Sequence, residues 1–302
     1  VRRHGPPHAG QPEYTHRLGR HLGECGPKAA KVPPTQPPPM ANDFRVGLIV
    51  PSSNVTMETE IPAMLQARDE LYGDRFTFHS SRMRMQSVTQ EELEKMDAQS
   101  EQCAALLADA RCDVQAYACL IGIMAQGPGY HEESEATLEA VAEEEGGPAP
   151  VVTSAGALVR ALEAMEADRI ALVAPYIEEL TGTVIEYLEA TAGVEVVDYK
   201  TLECPDNLEV ARLDQRELLE HAAEVDTTGA DAFVLSSCVQ MPSLQAIQAA
   251  EDQLGIPTFS AAVATTWDVL NRLDLAPRVS GAGTLLSGDV VPERRAEPIT
   301  AD

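Results

Sequence analysis

Apolar and polar positions alternate along this chain in two periods. Short β-rich apolar runs are each followed by a longer amphipathic stretch. Val46–Val50 (VGLIV) is apolar throughout, as expected of a strand covered on both faces. Thr89–Ala110 reads as one helix: Thr89 and Glu92 form a capping box, and Leu93, Met96, Cys103, Ala104 and Leu107 share a face. Asp113–Ala118 is the next strand. Glu132–Glu145 is an acidic helix stopped by Gly146-Gly147. Val151–Ser154 is a strand and Ala155–Met165 a helix. The alternation predicts an α/β fold with parallel sheets.

The order then repeats. Ile170–Ala174 is a strand ending in Pro175, as Val46–Val50 ends in Pro51. Asp231–Leu235 runs to Cys238, as Asp113–Ala118 runs to Cys119. Pro257–Ser260 followed by Ala261 mirrors Pro150–Ser154 followed by Ala155. The Pro-to-Cys spacing is 68 residues in the first copy and 63 in the second. Two related α/β units are expected, each with a cysteine just past a strand's C-terminal edge. Open α/β sheets place their ligand sites at that edge. Units that face each other would bring the two cysteines to one cleft.

Composition changes the picture at the ends. Residues 1–39 hold nine of the 21 prolines and almost no apolar periodicity, so 1–40 is expected to be a disordered tail, with Met40 a plausible natural start. Residues 288–302 are polar and expected to fray. The 302 residues carry 48 Asp+Glu against 22 Lys+Arg, a formal −26. The segment 1–39 has six basic and two acidic residues, which leaves −30 on the remainder. Such a balance excludes nucleic acid as the main partner, because phosphate binding needs a cationic face. Only four of the 22 basic residues are lysines. An acidic, lysine-poor surface suits very high salt, where screening removes self-repulsion. The competing reading is an acidic protein from a high-GC organism, with Arg codons in place of Lys. No apolar run approaches the roughly 20 residues of a membrane helix, and no secretory h-region is present, which points to a cytoplasmic protein without a membrane partner.

The cysteines carry the candidate chemistry. The six contain no Cys-x-x-Cys pair and read as free thiols. A free cysteine is usually a small buried residue, and Cys103 and Cys112 fit that. Cys119 and Cys238 occupy matching positions of a repeat, which points to function. A following helix N-terminus favours a thiolate. Pro51-Ser52-Ser53-Asn54 follows a strand and opens a helix, so hydroxyls, an amide and free N–H groups converge there. Capping explains one polar residue at such a place; three in a row point to a ligand. Nucleotide loops, G-x-S-x-G and H-E-x-x-H are absent, so no cofactor or metal is expected.

Together Val46–Asn54, Tyr117-Ala118-Cys119, Gln126-Gly127-Pro128-Gly129 and Ser237-Cys238-Val239-Gln240-Met241 resemble the maleate cis–trans isomerase family of the aspartate/glutamate racemase superfamily. The resemblance covers about residues 44–287. It implies two Rossmann-like domains related by a pseudo-twofold, with a cofactor-free site between them, and usually a homodimer. The first domain would be 41–154 plus 261–287 and the second 155–260. By motif position it implies Cys119 as nucleophile and Cys238 as proton-handling partner, with exchange of roles open. Ser52, Ser53, Asn54, Tyr176 and Asn207, with the turn around Ser237 and Val239, would hold a small dicarboxylate. Superfamily racemases typically read Cys-Asn-Thr at their cysteines; Leu120-Ile121 and Val239-Gln240 stand here instead. Two alternatives remain open at this point. One is a cysteine-pair racemase or decarboxylase acting on a small carboxylic acid. The other is a non-catalytic dicarboxylate-binding module.

Overall fold

The computed structural model describes residues 42–68 and 72–292. The tail expected over 1–40 lies outside the described residues, as do 293–302. Residues 288–292 lack regular secondary structure, yet the Val290 carbonyl accepts a hydrogen bond from Trp267 Nε1 at 2.9 Å.

The first half runs β1 (Asp43–Pro51), α1 (Met57–Gln66), β2 (Arg75–Met83), α2 (Gln90–Asp97), α3 (Ser100–Asp109), β3 (Val114–Tyr117), α4 (Leu120–Met124), α5 (Tyr130–Glu144), β4 (Val151–Thr153) and α6 (Ser154–Ala164). The second runs β5 (Arg169–Ala174), α7 (Glu178–Ala192), β6 (Glu195–Thr201), α8 (Asn207–Val210), α9 (Glu217–Ala223), β7 (Ala232–Ser236), α10 (Leu244–Leu254) and β8 (Thr258–Ser260). Helix α11 (Ala261–Arg272) follows.

Two four-stranded parallel sheets result, ordered β2-β1-β3-β4 and β6-β5-β7-β8. The identical order is the repeat made visible. In each sheet the chain leaves the first strand toward one edge and later returns to build toward the other. The loops after β1 and β3 therefore part around one crevice, and those after β5 and β7 around another. These are the loops that carry Asn54, Cys119, Tyr176 and Cys238.

The central strands are buried as their apolar runs require. Val46, Leu48, Ile49 and Val50 are fully buried, as are Ile170 through Ala174 and Ala232 through Leu235. The edge strands β2 and β6 are largely half-exposed and carry mixed polar sequences. They have no continuous apolar run by which the pattern could announce them.

Two local expectations are corrected. The helix expected over Thr89–Ala110 is two helices, α2 and α3, parted at Ala98-Gln99. The Gln99 side chain is the cause: Nε2 donates to Lys95 O at 2.8 Å, and Oε1 accepts from Arg84 N at 2.9 Å, which draws the turn toward the segment after β2. The capping box is half formed. Thr89 Oγ1 accepts from Glu92 N at 3.4 Å, but Glu92 Oε2 accepts from Gln86 N instead of the Thr89 N–H.

Helix α11 follows the last strand of the second sheet yet packs on α6 and against β3 and β4 of the first. A buried charge cluster fixes it there. Arg160 of α6 lies 2.7 Å from Glu135 Oε1 of α5 and 2.6 Å from Asp268 Oδ2 of α11. Among the described residues no helix is long and apolar enough to cross a membrane.

Candidate active site

Cys119 sits two residues past β3 and is the N-cap of the short helix α4. Its sulfur faces the Gly122 N–H, a contact that favours thiolate. Burial works against it and is the larger effect, pushing the Cys119 thiol up to about 12. Gly122 is required for the close approach. A Cβ at this position would stand 2.9 Å from Cys119 Sγ.

Cys238 sits two residues past β7, in the turn before α10. Burial raises its pKa too, but three donors oppose the rise: the Tyr176 hydroxyl and the N–H groups of Gln240 and Met241. Tyr176, just after β5, is itself buried and held well above its usual pKa by that burial. It therefore stays protonated and serves as a donor. Its hydroxyl lies 3.4 Å from the Ser237 carbonyl.

Both sulfurs line one cavity, together with Asn54, Tyr176, Asn207 and Val239. Here the ends of the two sheets meet. Asn54 Oδ1 accepts from Thr56 N and Met57 N, both at 3.0 Å. The amide caps α1, and this fixes its orientation: Oδ1 is spent, while Nδ2 has no hydrogen-bond partner among the described residues and remains a spare donor. Asn207 Nδ2 donates to Ser53 Oγ at 2.7 Å, linking the two halves across the cavity rim.

Three residues expected at the site do not line this cavity. Ser52 Oγ accepts from Met85 N at 3.0 Å and holds the segment after β2. The Ser53 hydroxyl is taken by Asn207. Ser237 Oγ donates to Val173 O at 3.3 Å, inside the second sheet. Hydroxyl-rich turns pointed to ligand binding, but these hydroxyls brace the walls. The two carboxylates near the site motifs are also engaged. Glu58 pairs with Arg82 at 2.7 Å, and Asp206 accepts from Leu208 N at 2.8 Å.

The cavity has further walls that pattern reading missed: Met85, Val88, Ile121 and Gln240. Gln240 stood within the Cys238 motif without a role. Met85 and Val88 come from the irregular segment after an edge strand, where no periodic signal exists. The cavity volume is about 20 Å³, room for about one water and far below the roughly 300 Å³ of an open ligand pocket. The lining side chains are packed closely around the two sulfurs. A larger cavity of about 770 Å³ lies elsewhere, around Arg160 and Asp268. Its arginines are already paired with its carboxylates, so it reads as part of the packing between α5, α6 and α11.

Known proteins match this arrangement. The sequence model of the arylmalonate decarboxylase family (Amdase) matches residues 46–286. The maleate isomerase of Geobacillus stearothermophilus is 58% identical over 250 residues, spanning 82% of this chain and 99% of the relative. The crystal structure of the maleate isomerase Iso from Pseudomonas putida S16, a cysteine-to-alanine variant with maleate, superposes with a TM-score of 0.81 at 53% identity, over 82% of this chain and 99% of that one. A cysteine-to-serine mutant of the Nocardia farcinica maleate cis–trans isomerase, with a covalently bound succinylcysteine intermediate, superposes with a TM-score of 0.79 at 45% identity, over 82% of this chain and all of that one. With two repeated sheets, a cysteine at the same edge of each and relatives of this closeness along nearly their whole length, the chain belongs to the maleate isomerase family.

Proposed function

We propose that this chain isomerises maleate to fumarate, without a cofactor, by reversible addition of a cysteine to the double bond. The observation that carries the reading is the pair of thiols from equivalent turns lining one cavity between amide donors. The succinylcysteine in the Nocardia farcinica enzyme supports it.

A C=C bond does not rotate, so it must become single for a moment. Cys238, with three donors to its sulfur, is the better-stabilised thiolate and takes the Cys119 proton. The Cys119 sulfur then bonds to one alkene carbon. The π pair moves to the other carbon and into its carboxylate, where the Asn54 amide and the turn N–H groups stabilise the enolate-like charge. Return of the proton from Cys238 to that carbon gives a succinyl thioether. Rotation about the new single bond, removal of the same proton by Cys238 and cleavage of the C–S bond release the trans isomer. Tyr176, Asn207 and the Val239 turn hold the carboxylates.

The test is direct. Maleate added to the protein with no cofactor is converted to fumarate, followed by NMR, and Cys119→Ala abolishes conversion while keeping the wild-type melting temperature. Absence of fumarate with the intact protein rejects the reading. The family name Amdase favours a second reading, decarboxylation of a malonate, in which a cysteine protonates the carbon that loses CO2. Release of CO2 from phenylmalonate by a protein inert toward maleate would select it.

Domain boundaries at 41–154 plus 261–287 and 155–260 go with this proposal, supported by the packing of α11 on the first sheet. A cytoplasmic homodimer completes it, and the acidic, lysine-poor composition supports adaptation to high salt.

A further inference from the structure

Gln240 belongs to the Cys238 turn but spends its side chain on the other half of the molecule. Its Nε2 donates to Ser53 O at 2.9 Å and to Asn207 O at 2.8 Å. Its Oε1 accepts from Val55 N at 2.9 Å. The side chain is buried, and both of its N–H groups are committed to carbonyls, so no donor remains for a ligand. Its backbone N–H meanwhile faces the Cys238 sulfur. One residue thus ties the turn after β1, the start of α8 and a cysteine together.

The repeat is broken at this point. Two residues after Cys119 stands Ile121, which has no polar group to offer the second half. The strap exists once, on the side where the asparagine-bearing segments need it. Asn54 and Asp206 fix their own helix starts through local caps. Those caps set each turn internally and say nothing about the distance between them. Among the described residues, that distance is held by the Gln240 carboxamide and by the Asn207–Ser53 hydrogen bond.

We propose that Gln240 is the positioning residue of the carboxylate cradle, holding the Asn54 and Asn207 segments at a fixed separation on either side of the cavity. The inference rests on the dicarboxylate reading above. Such a strap acts by preorganisation: it removes the ordering of two loops from the cost of binding. Its loss is expected in affinity, with the thiols and the fold left in place.

Gln240→Met keeps length and volume and removes all three hydrogen bonds. Gln240→Glu keeps the acceptor for Val55 N and replaces the donors with a group that donates only when protonated. Binding of succinate and malonate, which have no double bond to react, is measured by calorimetry beside KM and kcat for maleate, the iodoacetamide alkylation rate and the melting temperature. In Gln240→Met the succinate Kd and the maleate KM rise about tenfold or more, while alkylation stays near wild type and the protein remains folded at the assay temperature with a moderately lowered melting temperature. In Gln240→Glu the KM falls back toward wild type as pH is lowered, a signature that a purely structural role does not produce. Unchanged Kd and KM in Gln240→Met overturn the proposal, and so does a loss explained by unfolding at the assay temperature or accompanied by a changed alkylation rate. A wild-type protein that binds succinate but leaves maleate intact rejects the isomerase reading and leaves the cradle to be judged on Kd. A wild-type protein that binds neither diacid rejects the cradle too.

Discussion

Gly122 shows what one missing side chain does beside a buried thiol. A methyl group there would stand 2.9 Å from Cys119 Sγ and 2.8 Å from Met96 Cε. Met96 has a flexible end and yields; the sulfur is held by its strand and its cap. Gly122→Ala is therefore expected to lower kcat more than about tenfold with a much smaller change in melting temperature, since alanine favours the helix. Steady-state kinetics beside a thermal melt check this, and an alanine variant with wild-type kcat refutes it. The burial that lifts Cys119 to about 12 also means that its alkylation rate keeps rising with pH well beyond 9. At this scale the sequence was partly legible. Cys119 and Cys238 could be found because each stands two residues past a strand in matching copies. Ser52 and Ser237 lie outside the cavity lining with their hydroxyls on backbone groups, an arrangement sequence alone does not distinguish from a hydroxyl that meets a ligand. Met85 and Val88 left no trace, because what makes them site residues is tertiary placement.

Among the elements, the junction of α5, α6 and α11 rests on buried charge. Arg160 sits between Glu135 and Asp268, and Arg272 adds a weaker contact to Glu135 at 3.5 Å. Burial raises the Asp268 pKa, and the two arginines pull it back. Replacing Arg160 by Met leaves two buried carboxylates without their main partner, at a cost of about 3–5 kcal/mol. The pH dependence has a definite sign. A carboxyl whose folded pKa lies above its unfolded value takes up a proton on folding, so stability is lost as pH rises through that window. Urea unfolding of Arg160→Met should therefore show a larger deficit at pH 8 than at pH 5; an equal deficit at both would mean that the carboxylates are not what the arginine neutralises. Element reading from sequence succeeded where burial is two-sided, as in β1, β5 and β7. It failed for β2 and β6, whose outer flank faces solvent and whose residues alternate without a clear apolar face. It also merged α2 and α3, because the side chain that parts them acts through a distant backbone.

For the whole molecule the dominant fact is charge. The −26 formal charge, −30 outside the basic N-terminal segment, repels a dianionic substrate at long range. Capture then depends on short-range amide and hydroxyl donors. Salt should help: the Debye length falls from about 10 Å at 0.1 M to about 3 Å at 1 M. Raising KCl over that range is expected to lower the maleate KM several-fold and to raise the melting temperature; a flat response would mean that the acidic surface is unrelated to salt.

The path of α11 governs how this protein can be made. Synthesis releases β1 through β4 long before Ala261–Arg272, the helix that covers the faces of β3 and β4. The first sheet to emerge from the ribosome is thus the last to be completed. Until some 270 residues exist, its apolar flank, with Val114, Ala116 and Val152, lacks part of its cover. Folding one unit at a time from the N-terminus is therefore disfavoured. The two halves are expected to fold as one cooperative event, and a chain truncated before α11 is expected to aggregate or be degraded instead of yielding half an enzyme.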